Sequence, residues 1–131
     1  MKIDKEKQMM NVDIVSYLIN LNEELKKKRK VIRLVIYGGA AMSLKYNNRR
    51  STIDIDAIFN KQTLVRKLID EIATSKNLYY KWINDDIRPV LSPYVKTSFG
   101  LEIGRTINFL EAHESLDMGF SNIGIFIMFC L

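Results

Sequence analysis

Between residues 11 and 29, Val12, Val15, Leu18, Ile19, Leu21 and Leu25 recur at helical spacing, and the lysines after Leu25 suit a helix carboxyl end, where the macrodipole favours cations. The spacing predicts an amphipathic helix over 11–29. Val31 to Tyr37 is a β-branched apolar run closed by Gly38 and Gly39, which predicts a strand ending in a glycine turn. Ala40 to Lys45 then holds good helix formers before Asn47-Asn48 offers a stop. Thr52 to Phe59 reads as a second strand, and Phe99 to Ile103 as a further one. Between them, Gln62 to Lys76 reads as a helix with Leu64, Val65, Leu68, Ile69 and Ile72 on one face. Both kinds of element are mixed along the chain, so an α+β fold is expected.

Composition narrows the class. The chain has 131 residues, 47% hydrophobic and 27% charged, which is the balance of a globular protein with enough length to bury a core unaided by disulfides or structural metal. No repeat or low-complexity linker divides it, and residues 1–131 are expected to form a single unit. One cysteine, Cys130, and one histidine, His113, exclude a disulfide scaffold and a closed zinc site. The charged amino terminus, Met1 to Lys7, is no signal peptide, so a cytoplasmic location is expected. No apolar run reaches the roughly 18–20 residues of a membrane helix, and no membrane partner is expected. A net charge of +5 favours polyanionic partners such as nucleotides or RNA. Lys26 to Lys30 could grip such a backbone, but reads more simply as a solvated helix end.

The candidate chemistry lies in Val35 to Phe59. Two glycines between a buried strand and a helix let the backbone approach a ligand closely, and free amides at the helix start attract phosphate. The plainer reading is a tight turn, and the Gly-Lys-Ser/Thr ending of a P-loop is missing. On a strand, residues i and i+2 share a face, about 6.6–7 Å apart. Asp54 and Asp56 would then project together while Ile53, Ile55 and Ala57 turn toward the core. Such a pair repels itself unless a cation compensates, and magnesium, which takes hard oxygen ligands, is the candidate. The plainer reading is an exposed pair bridged to Arg49 or Arg50.

Together, Gly38-Gly39 opening a helix and Asp54-Ile55-Asp56 on the next strand resemble the signature of the nucleotidyltransferase superfamily. More narrowly, Gly38-Gly39-Ala40-Ala41, the Arg-x-Ser/Thr-x-Asp-Ile-Asp spacing and Trp82-Ile83-Asn84-Asp85-Asp86 look like small prokaryotic nucleotidyltransferase-fold proteins. These are related to the toxins of abortive-infection toxin–antitoxin pairs. The resemblance covers about residues 31 to 90. It implies a mixed β-sheet flanked by helices, magnesium and NTP binding, and transfer of a nucleotide to a hydroxyl of RNA or protein. It also implies a cognate antitoxin as partner. On that basis Asp54 and Asp56 would hold the metal, and Gly38, Gly39, Arg49, Arg50 and Thr52 would meet the nucleotide. Glu102, in a short apolar run, would be the third carboxylate, acting as general base or further metal ligand. Asp85 and Asp86 are read instead as capping or solvating a turn before Pro89, and Tyr79, Tyr80 and Trp82 as core residues rather than a base-stacking platform.

The pattern departs from the superfamily at the end of the sequence, where related proteins continue into further helices. Residues 123–131 are nine residues with eight apolar, which suits a buried strand or helix fragment, an interface with a second copy of the chain, or a truncated reading frame. The expectation is that this tail is covered, by the domain itself or in a homodimer. Without a third carboxylate, the alternative function is a catalytically inactive interaction protein of the same fold.

Overall fold

The computed structural model describes residues 9–46, 52–87 and 114–128. Three helices and five strands follow in the order α1 (Asn11–Lys28), β1 (Ile32–Tyr37), α2 (Gly38–Tyr46), β2 (Ile55–Phe59), α3 (Gln62–Lys76), β3 (Ile83–Asn84), β4 (Glu114–Leu116), β5 (Ile123–Met128). The strands form one mixed sheet in the order β3-β2-β1-β5-β4. β1 runs antiparallel to β2 and parallel to β5, β2 is parallel to β3, and β4 is antiparallel to β5. This is the expected α+β architecture.

The periodicities explain the helices. Along α1, Ile14, Leu18, Leu21 and Leu25 are fully buried, whereas Val12 and Ile19, expected on the same face, are exposed; the backbone N–H of Met10 donates to the Asp13 carboxylate at 2.9 Å where the helix begins. Arg29 takes a left-handed conformation at the other end, and Lys30 N–H returns to the Leu25 carbonyl, a stop of the kind helices commonly adopt. Lys26 and Lys27 are solvated and pair with Glu23 and Glu24, as the plainer reading of the basic run expected. In α3, Val65, Leu68, Ile69 and Ile72 are buried, and the helix packs beside α1.

Of the apolar tail, Ile123–Met128 forms a strand. Ile123, Ile125 and Ile127 are buried in β5, which lies between β1 and β4. The domain itself therefore buries Ile123, Ile125 and Ile127, and both edges of that strand are already paired. An uncovered tail was the ground for expecting a homodimer, and over these residues that ground is absent. Cys130 and the rest of the tail lie outside the described residues, as do His113 and the strand expected at Phe99 to Ile103. Among the described residues, no helix is long and apolar enough to cross a membrane.

Two elements begin elsewhere than expected. The second strand starts at Ile55 rather than Thr52. Thr52 instead forms an isolated antiparallel bridge with Met9, and its hydroxyl donates to the Asp54 carbonyl at 2.8 Å. That local bond bends the chain through Ile53 and Asp54, as threonine hydroxyls do in competition with sheet ladders. Ile53, expected in the core, is 38% exposed. The helix after the glycines likewise starts at Gly38 rather than Ala40, with the turn itself made by the left-handed backbone of Gly38.

Candidate functional site

The carboxylates, the glycines and Asn84 meet where α2 leaves β1. Tyr37, the last residue of β1, lies opposite Asp56 in the antiparallel register, and Asp56 lies opposite Asn84 in the parallel register with β3. Register partners share a face of a sheet, so Asp56 and Asn84 project to the same side. Gly38 makes the corner with φ +66°, and a Cβ built there would sit 3.7 Å from Asp56 Oδ2. A Cβ on Gly39 would sit 3.9 Å from the Thr52 side chain. The opening of α2 thus lies directly beside Asp56 and Thr52.

Asp54 reaches the same place from the bend before β2. Asn84 Nδ2 donates to Asp54 Oδ2 at 2.9 Å, so the two aspartates sit together although only Asp56 belongs to the strand. Both are half-buried. Burial foremost, then the negative charges of Asp54 and Asp86, holds the Asp56 carboxyl above its ordinary pKa. The site therefore gathers carboxylates that are half withdrawn from water. Burial also pushes the Tyr37 phenol well up, so it stays protonated.

Among the described residues, no group of three or more His, Cys, Asp and Glu side chains could by itself hold a metal ion. The donor set still suits magnesium, which binds through one or two carboxylates while waters and substrate phosphates complete its shell. Asp54 and Asp56 supply two such carboxylates side by side, next to the opening of α2.

Of the residues singled out in the sequence, Gly38, Gly39, Thr52, Asp54 and Asp56 come together. Arg49, Arg50 and Glu102 lie outside the described residues. The residues that sequence reasoning passed over are Asn84 and Asp86. Asp86 ends in a turn, as expected, and pairs with Lys81 at 2.9 Å, yet its charge also reaches Asp56. Asp85 pairs with Arg66 of α3 at 2.5 Å. The signal available was the segment Trp82 to Asp86, already noticed as part of the resemblance. Trp82 is core, 1% exposed, whereas Tyr80, expected inside, is 57% exposed. A cleft of about 220 Å3 between α3 and β3 adjoins the carboxylates through Asn84 and Asp86, with Arg66 standing over the Phe59 ring.

Gly38→Ala is expected to cost about 1–2 kcal/mol, the price of a left-handed backbone for a residue with a Cβ. The added methyl would meet Asp56 only at ordinary van der Waals distance, so the loss should be strain rather than collision. Urea unfolding of the variant measures it, and an unchanged midpoint would show that the corner relaxes.

A mixed sheet in which a Gly-Gly helix opening faces an Asp-x-Asp segment is the α+β arrangement of a nucleotidyltransferase-like fold. The chain belongs to the family described as nucleotidyltransferase of unknown function, DUF6036, which matches residues 15–120. That span includes the glycines, both aspartates and Asn84. No curated protein and no solved structure matches the chain.

Proposed function

We propose that the protein is a magnesium-dependent nucleotidyltransferase that moves a nucleotide from an NTP to a hydroxyl of RNA or protein. The observation that supports this reading most is the juxtaposition of Gly38 and Asp56, with Oδ2 3.7 Å from where a Gly38 Cβ would stand. It sets a phosphate-attracting helix opening against a metal-attracting carboxylate. Asp54 and Asp56 would hold magnesium, which when bound supplies neutralisation of the charge on the triphosphate and on departing pyrophosphate.

The chain's own residues do the rest. Backbone N–H groups in the first turn of α2 have no partners within the helix and can donate to phosphate oxygens. Gly38 lacks a side chain, which lets the Asp56 carboxylate stand close to that turn. The acceptor oxygen attacks the α-phosphorus, the bond to the β-phosphate oxygen breaks, and pyrophosphate leaves. Arg49, Arg50 and Thr52 are assigned to the triphosphate. Glu102 is assigned as the base that takes the acceptor proton. The resemblance to toxins of toxin–antitoxin pairs supplies the proposed setting, with a cognate antitoxin as partner.

The test is incubation with each labelled NTP, magnesium, and total cellular RNA or protein, scoring transfer of label and release of pyrophosphate. Transfer that requires magnesium supports the reading. A folded protein whose melting temperature is unmoved by magnesium plus any NTP would instead be the catalytically inactive interaction protein of this fold.

A further inference from the structure

We infer that Asn84 is a positioning residue for Asp54, pinning one carboxylate oxygen so that the other faces a divalent cation. The inference rests on the reading of Asp54 as a magnesium ligand. Asn84 is 7% exposed, and a buried amide is costly unless its hydrogen-bonding groups are matched. Here they are. Nδ2 donates to Asp54 Oδ2 at 2.9 Å and to the Lys81 carbonyl at 3.0 Å, while Oδ1 accepts the backbone N–H of Asp86 at 3.1 Å.

With an acceptor for each amide hydrogen and a donor for the oxygen, the network admits one orientation of the amide. Flipping it would set Oδ1 against the Asp54 carboxylate and Nδ2 against an N–H. Asn84 is thus a fixed donor aimed at Asp54 across a sequence gap of 30 residues. The same side chain holds Asp86, whose charge bears on Asp56, so one amide organises the acidic cluster from its far side.

A packing role alone does not call for this residue. β3 is already docked by Trp82, whose indole N–H donates to the Ile69 carbonyl at 3.0 Å, and by the parallel pairing of Ile83 with Ile55. An amide, by contrast, does what no apolar side chain could. It orients a carboxylate without adding charge, the service that hydrogen bonds behind metal ligands commonly perform.

Two variants of the full chain, Asn84→Ser and Asn84→Asp, separate positioning from packing. Magnesium chloride alone is the probe, read by calorimetric titration and by melting temperature with and without the ion. Asn84→Ser gives up the donor to Asp54 and is expected to bind magnesium about 10- to 100-fold more weakly. Asn84→Asp is isosteric and keeps the acceptor for the Asp86 N–H, but it turns a negative oxygen toward Asp54. Its metal-free melting temperature should fall, and magnesium should raise it by more than in the wild type.

Opposite responses of the two variants to magnesium establish positioning. Equal destabilisation of both, with magnesium affinity and the magnesium-induced rise kept at wild-type values, would overturn the inference and leave Asn84 a packing residue. A wild-type protein indifferent to magnesium would overturn it together with the reading of the aspartates. Should Asn84→Ser fail to fold, the isosteric Asn84→Asp carries the comparison.

Discussion

Asp56→Asn is expected to abolish nucleotide transfer while making the metal-free protein more stable at neutral pH. Both effects follow from one charge. The folded state holds the Asp56 carboxyl above its ordinary pKa, chiefly through burial and then through Asp54 and Asp86. The ionised form is therefore disfavoured on folding, and above that raised pKa it costs the folded state stability. As pH falls through the raised value the wild-type carboxyl takes up a proton and the cost disappears. The variant should melt higher than the wild type at neutral pH without divalent ions, and the gap should close as the pH enters the carboxylate range.

With magnesium the order should reverse, because the wild type gains binding energy that the variant lacks. Loss of one strong electrostatic contact from a preorganised site typically costs about 3 kcal/mol or more at the transition state, a rate factor of at least ~100. Label transfer by Asp56→Asn and Asp54→Asn, measured beside the wild type, reads that factor directly. Equal activity in all three would remove both aspartates from the mechanism.

Trp82→Ala is expected to be the most destabilising single substitution considered, by about 3–5 kcal/mol, the usual cost of emptying a buried aromatic site. That is a large part of the roughly 5–15 kcal/mol by which folded domains are stable. The side chain is almost wholly buried, bonds Ile69 of α3 through its indole N–H, and receives Tyr17 of α1 in an edge-on contact with ring centroids 5.8 Å apart. Removing it uncouples α1, α3 and the approach to β3 at once. Urea unfolding should show the midpoint falling steeply, and a midpoint near the wild-type value would mean that the cavity closes by local collapse.

Much of this architecture could be read along the chain, and the exceptions have physical causes. The bounds of α1 and α3 follow from apolar residues repeating at a period that only a helix satisfies. β1 was legible because Val31 to Tyr37 is rich in β-branched side chains. The start of the tail was legible as a buried strand or helix fragment without a choice between them, since a short run apolar on both faces suits either element. The bend at Asp54 depends on a threonine hydroxyl and a bridge to Met9, a partnership 43 residues away that no local pattern encodes.

The site was legible in part for the same reason. Gly38, Gly39, Thr52, Asp54 and Asp56 were visible as a motif, with the glycines rightly opening a helix, though Asp54 was placed on a strand rather than in the bend before it. Asn84 was passed over because amide side chains carry no signature of what they will orient. Its partner Asp54 becomes a neighbour only when β3 pairs with β2.

The place of β5 also bears on how the protein comes to be folded. In the sheet, Ile32 stands opposite Ile123, so the central pairing joins segments separated by most of the chain. Loop closure over such a distance is entropically expensive and slow. On a ribosome, α1, β1, α2, β2 and α3 all emerge before the strand that completes the middle of the sheet. Until β5 is made, β1 presents one unsatisfied edge with Leu34 and Ile36 beside it, a surface on which a nascent chain can pair wrongly. The helices can form early, but the core is sealed only by the last described strand to be synthesised, which makes the yield of native protein depend on how the growing chain is kept apart from its neighbours in the meantime.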